Sequence, residues 1–219
     1  MKKNISKIHY EVLDKKKLNL LNQLAPLVKN FVLSGGTALS LQIKHRQSFD
    51  FDFFSKTEIP ADFLARLKKG IKISSVLVNK PEELTIYDEN DIKISFICYP
   101  FFKPTDLIKL HNGIKLFSIK EIAAQKAYTI GRRGTYRDYF DIYAILCGQY
   151  LTLKKIIKVA EEIYDEIFNP KLFLEQLVYF NDLTNFEIIP VKGSDKTPNP
   201  EEVKSFLENE VKEVLKDWK

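Results

Sequence analysis

Two cysteines and three histidines are all that 219 residues offer to thiolate or imidazole chemistry, and they are scattered. Cys98 and Cys147 form neither a CxxC pair nor a zinc spacing, and both have apolar neighbours, so buried, reduced thiols are expected. That removes zinc fingers, disulfide scaffolds and dithiol redox enzymes from consideration. His45 and His111 stand alone, without ligand spacing, so structural or surface roles are expected of them. No apolar run approaches the roughly 18 residues that a membrane-spanning helix needs. Residues 1–17 carry lysines with no apolar stretch behind them, so no secretory leader is expected, and the expected setting is cytoplasmic. Internal repeats and low-complexity segments are missing too.

What is present is the composition of a folded globular chain: 45% hydrophobic, 29% charged, 12% aromatic. A chain this long hides roughly 70% of its unfolded surface and needs no staple to fold. The net charge of +5 is modest, but it is unevenly spread. Residues 103–137 hold eight basic and two acidic side chains, whereas residues 201–219 hold four basic and six acidic ones.

Periodicity gives a coarse plan. Leu18, Leu21, Leu24, Leu27 and Val28 fall at helical spacing within residues 13–29. Residues 31–33 read as a short buried strand stopped by Ser34-Gly35-Gly36, and Thr37 is expected to cap a helix over 38–45. Residues 49–54 alternate Phe and Asp with the period of a strand. A helix near 62–69 and strand-like runs over 71–78, 83–87 and 91–99 follow. After Pro104 the pattern is expected to be helical throughout, with helices over 119–132, 136–147, 153–167, 170–180 and 201–218 and a polar loop over 192–200. The expected fold is α+β: a mixed sheet with flanking helices over residues 1–110, then a helical bundle over 111–219 that completes a cleft.

Three patterns carry chemistry. In Phe49-Asp50-Phe51-Asp52-Phe53 a strand would turn both carboxylates to one face and the rings to the other. Two like charges fixed about 7 Å apart are relieved by a divalent cation with oxygen ligands, and a solvated strand face is the plainer alternative. Ser34-Gly35-Gly36-Thr37 sets two glycines between a strand and a helix start, where unpaired N–H groups suit a phosphate; a mere tight turn is the alternative. Neither a P-loop nor GxGxxG is formed. Finally, Lys126 interrupts the apolar stripe of Ile119, Ile122, Ala123, Ala127 and Ile130, so it either snorkels to solvent or points into a site. Asp138 and Asp141 follow three residues apart; as plain first-turn acids, they would leave Asp141 to pair with Arg137.

In this order the features resemble the nucleotidyltransferase superfamily, and more closely the AbiEii-type nucleotidyltransferase toxins of bacterial toxin–antitoxin and abortive-infection systems. The residues that carry the likeness are Gly35-Gly36-Thr37-Ala38-Leu39, His45-Arg46-x-Ser48-x-Asp50-x-Asp52-Phe53-Phe54, and Lys126 with Arg137-Asp138-x-x-Asp141. Residues 177–182 are similar to that family's helical region. The resemblance implies an Mg²⁺- or Mn²⁺-dependent enzyme that moves an NMP from an NTP to a hydroxyl of RNA (tRNA among them) or protein. It implies phosphate contacts from Gly35, Gly36 and Thr37, binding of two metal ions by Asp50 and Asp52, and shaping or phosphate contacts from Arg46 and Ser48. Lys126 would face the triphosphate or stabilise the leaving group, and Asp138 and Asp141 would orient it or take part directly. A separately encoded antitoxin would be a partner.

One departure stands out. The superfamily usually adds a third carboxylate from a neighbouring strand, and the matching position here is Ser95, which cannot serve as a carboxylate base. Either Asp138 or Asp141 supplies the acid, or the second metal is weak, or transfer is poor; a catalytically inactive nucleotide- or RNA-binding module is the alternative function. Lys103, Lys109, Lys115, Lys120, Arg132, Arg133 and Arg137 are candidates to line a phosphate path, with Tyr128, Tyr136 and Tyr139 to stack bases; a solvated lysine-rich surface is the alternative.

Overall fold

The computed structural model describes residues 7–191, 193, 197–216 and 218, and for Arg133 the backbone alone. The chain divides into two compact units after Ser118.

The first unit is built on a seven-stranded mixed sheet. Its elements in chain order are α1 (Lys15–Leu24), β1 (Val32–Ser34), α2 (Gly35–Ile43), β2 (Phe51–Ser55), α3 (Phe63–Gly70), β3 (Ile73–Asn79), β4 (Glu83–Asp88), β5 (Lys93–Cys98), β6 (Leu107–Lys109) and β7 (Lys115–Phe117). The strand order is β3-β4-β5-β2-β1-β7-β6. β1 runs antiparallel to β2 and parallel to β7, and β2 runs parallel to β5.

Alternation in the strands explains the layering. Phe51 and Phe53 of β2, Ile94 and Phe96 of β5, Leu84 and Ile86 of β4, and Leu33 of β1 are all fully buried. Phe53 stacks on Phe96 at 5.4 Å, and Phe63 of α3 meets Phe96 edge-on at 4.8 Å. Interlocked rings of this kind add to area burial, and truncating one to alanine costs about 3–5 kcal/mol. This apolar face leaves the opposite face of the same strands free for polar positions.

Several expectations are corrected here. The segment after Pro104 is not all helical, because β6 and β7 form a hairpin that extends the sheet. Strands of three residues are too short to show a period. Thr37 is not a cap: α2 begins at Gly35, with Ser34 in extended conformation at its N-cap. β2 begins at Phe51, so Phe49 lies outside the strand, where its ring takes the Lys17 ammonium at 4.1 Å from the centroid. Cys147 is exposed and Cys98 half-buried, rather than both being buried.

The second unit is helical: α4 (Ile119–Arg133), α5 (Tyr136–Cys147), α6 (Leu153–Tyr164), α7 (Pro170–Leu177) and α8 (Pro200–Lys216). Thr135 and Asp138 close a capping box at the start of α5, and Asn169 caps α7, whose first residue is Pro170. The expected loop over 192–200 lies partly outside the described residues. No helix among the described residues is long and apolar enough to cross a membrane.

Candidate active site

The glycine turn and the two aspartates come together in the first unit. Gly35 has φ +66°, a conformation that side chains rarely adopt, and a Cβ placed there would stand 2.6 Å from Asp52 Oδ2. Glycine is therefore required twice, by the backbone and by the carboxylate lying against it. A Cβ on Gly36 would run into the Arg46 guanidinium and come within 3.1 Å of Ser48 Oγ. Arg46 is 5% exposed, and Ser48 is buried as well. So the first turn of α2, with the positive end of its dipole, is packed by Asp52 on one glycine and by Arg46 and Ser48 on the next. A buried guanidinium at a helix N-terminus concentrates positive charge where an anion would be held.

Thr37 has a role that the sequence did not signal. Its hydroxyl donates to the Asp50 carbonyl oxygen, tying the first turn of α2 to the residue that leads into β2. Asp50 is fixed by its backbone, and its carboxylate meets Lys93 Nζ at 3.6 Å, with both side chains partly exposed.

Sheet register places four polar residues in one row. Ser34 pairs with Asp52, Asp52 with Ser95, and Ser95 with Thr85. Directly paired residues share a face, so the hydroxyls of Ser34, Ser95 and Thr85 flank the Asp52 carboxylate along the face opposite the phenylalanines. Thr85 Oγ1 donates to Glu83 Oε1 at 2.7 Å. Ser95 thus occupies the strand position beside Asp52 where the resemblance implies a third acid. No group of three or more His, Cys, Asp or Glu side chains arranged for a metal occurs among the described residues. Lys93 is the residue of this site that sequence reading passed over. Its signal was available: it precedes Ser95 by two, and so shares its face.

The helical unit holds a separate charged cluster. Lys126 Nζ lies 2.6 Å from Asp138 Oδ1 and 2.9 Å from Asp141 Oδ2. The Lys126 side chain is 13% exposed and that of Asp141 is 0% exposed, so the lysine does not snorkel. Asp138 Oδ2 accepts from both the backbone N–H and the hydroxyl of Thr135. Asp138 is therefore a cap and a lysine anchor at once, and the Asp141 carboxylate is the Lys126 ammonium's second partner rather than a plain first-turn acid.

The expected base-stacking surface is corrected. Tyr136 and Tyr139 are each only 2% exposed, and burial pushes both up to about 12, with Asp138 and Asp182 adding to the shift at Tyr139. The Tyr128 ring is covered on both sides, by Tyr164 stacked at 4.2 Å and by the Arg132 guanidinium at 3.6 Å. Arg132 also donates to the carbonyls of Tyr128 and Ile167. The side chain of Arg133, another expected phosphate contact, lies outside the described residues. Lys103, Lys109 and Lys115 are exposed in the first unit, while Lys120 and Arg137 are half-buried in the second.

Comparison with known proteins shows the family and the fold. Residues 19–219 match the family model described as Nucleotidyl transferase AbiEii toxin, Type IV TA system. An uncharacterized protein of Aquifex aeolicus (strain VF5) is 32% identical over 193 residues, spanning 87% of this chain and 91% of the relative. Among solved structures, JHP933 from Helicobacter pylori is 18% identical, with a TM-score of 0.57 and 94% of each chain covered. MenT4, a nucleotidyltransferase toxin from Mycobacterium tuberculosis H37Rv, is 16% identical, with a TM-score of 0.56 over 92% of this chain and 83% of the other. At these identities the two structures speak for the fold alone, which the chain shares with the nucleotidyltransferase toxin MenT4. With its glycine turn packed on Asp52 and a family match over most of its length, the chain belongs to the AbiEii nucleotidyl transferase toxin family.

Proposed function

We propose that this nucleotidyltransferase moves an NMP unit from an NTP to a hydroxyl of RNA, tRNA among the candidates, with one Mg²⁺ or Mn²⁺ ion held by Asp50 and Asp52. The observation that carries the reading is the packing of Asp52 against Gly35, which sets a carboxylate beside the helix turn suited to phosphates. The donor set fits a hard divalent cation: two carboxylates, with the Ser95 hydroxyl in register beside Asp52. When bound, such an ion neutralises phosphate charge and lowers the pKa of a coordinated hydroxyl.

In the proposed reaction the acceptor oxygen forms a bond to the α-phosphorus while the bond from that phosphorus to the bridging oxygen of the β-phosphate breaks. Pyrophosphate leaves, and the hydroxyl proton passes to solvent. The N–H groups of Gly35, Gly36 and Thr37 bind the phosphates, with Arg46 and Ser48 behind them. The chain is proposed to arrest growth and to be paired with a separately encoded antitoxin.

The test is incubation with each labelled NTP, Mg²⁺ and total tRNA, beside the Asp50→Ala/Asp52→Ala variant. The expected result is labelled RNA from the wild type only. Nucleotide binding without labelled product from any NTP would overturn the enzyme reading in favour of a binding module. Growth arrest that survives the double substitution would remove metal chemistry as its cause.

A further inference from the structure

Lys109 and Lys115 are direct partners across the β6–β7 hairpin. Both are exposed, and like charges facing each other across two strands destabilise the pair. No carboxylate offsets them: neither residue, nor the exposed Lys29, has an ion-pair partner among the described residues. The three lysines line a groove of about 450 Å³, together with Ala25, Pro26 and the hairpin tip at Asn112 and Gly113. The hairpin tip beside the groove is tied to the start of the chain's fold. Asn112 Nδ2 donates to Asn22 Oδ1 of α1 at 3.0 Å, and His111 Nδ1 bonds the Tyr10 hydroxyl at 2.6 Å. Three lysines thus line one groove, two of them as direct cross-strand partners, which is how a site for a polyanion differs from scattered surface lysines.

Register relates this groove to Asp52. Lys115 pairs with Val32, and Val32 with Phe54, two residues from Asp52. Lys115 therefore shares the sheet face of Asp52, and strand spacing and rise put their Cα atoms about 12 Å apart.

The geometry points to the Lys29–Lys109–Lys115 groove as a docking site for the phosphate backbone of an RNA chain, read by charge and not by sequence. RNA is favoured over an acidic protein surface by what the lining lacks. There is no aromatic or large apolar anchor of the kind that centres a protein interface, and lysine is depleted there. The inference names an RNA backbone as the acceptor class and so rests on the transfer reading, but its test does not require transfer.

The test uses the full chain without nucleotide or divalent ion, and a fluorescein-labelled single-stranded uridine oligomer followed by anisotropy between about 50 and 200 mM NaCl. The Lys29→Gln/Lys109→Gln/Lys115→Gln variant is expected to bind more weakly and to lose about 2 from the magnitude of the log Kd against log salt slope. Lys115→Gln alone is expected to lose about 0.7. A control triple at exposed positions of α6, Lys154→Gln/Lys155→Gln/Lys158→Gln, should leave the slope near that of the wild type. An unchanged slope in both groove variants overturns the inference, as does a polyglutamate that displaces the oligomer at lower charge concentration than unlabelled RNA. Loss of NTP labelling with RNA binding intact is failure of the transfer reading alone, and the reverse is failure of the groove alone.

Discussion

Asp52 and Ser95 are register partners on parallel strands, so the residue beside the central carboxylate of the site is a hydroxyl and not an acid. On the same face and one step along β5, Lys93 brings a cation to 3.6 Å from Asp50. The strand that would have added negative charge therefore adds positive charge.

The substitution Lys93→Gln removes that ammonium from the neighbourhood of the proposed ion. The pair is more than a third exposed on the Asp50 side, so screening is strong. Mn²⁺ affinity without nucleotide, read by electron paramagnetic resonance, is expected to rise about threefold at low salt and by less at high salt. Unaltered Mn²⁺ affinity would show that Lys93 does not act on the cation.

Gly35→Ala combines a positive φ with a collision against Asp52, whereas Gly113→Ala meets a positive φ alone with open space around it. The expected costs in urea denaturation are about 1 kcal/mol for Gly113→Ala and 2–3 kcal/mol or more for Gly35→Ala. Only the change at Gly35 should weaken NTP binding. Equal losses at both positions would mean that Asp52 yields to the new methyl group.

Replacing Lys126 by Met leaves Asp141 buried with its cation gone. Unfolding free energy is expected to fall by about 3–5 kcal/mol, with part of the loss recovered in Lys126→Met/Asp141→Asn. A double variant no more stable than the single one would argue that the pair contributes by packing.

Buried tyrosines set an alkaline limit. Tyr136, Tyr139 and Tyr143 are each pushed up to about 12 by burial. Their folded values exceed the unfolded value near 10, so the contribution they make is constant below pH 10 and is lost as pH rises from 10 to 12. Denaturation midpoints should fall over that window, while tyrosinate absorbance in the folded chain accounts for fewer than the ten tyrosines.

The sequence disclosed what depends on local pattern. Alternating Phe and Asp marked β2, and the paired glycines marked the turn into α2, because burial on one face and a positive φ both leave a trace in residue type. The β6–β7 hairpin left none: three-residue strands have no period, and Lys115 and Leu116 are strand residues because β1 lies beside them. Tyr128 and Arg132 looked available for nucleic acid, since charge and aromatic character are visible in sequence, whereas the Tyr164 ring that covers one face comes from another helix. Lys126 was ambiguous for the same reason. Its two carboxylates lie 12 and 15 positions away, and only the packing of α4 on α5 decides between solvent and ion pair.

The hydrogen bond from Thr37 to the Asp50 carbonyl has a thermodynamic corollary. An anion held at the first turn of α2 and a cation held at Asp50 order the two ends of one bond. Whatever factor the first ligand adds to the affinity of the second must be returned by the second to the first. If both bind as proposed, nucleotide and ion are linked ligands, and neither has a single dissociation constant independent of the other's concentration.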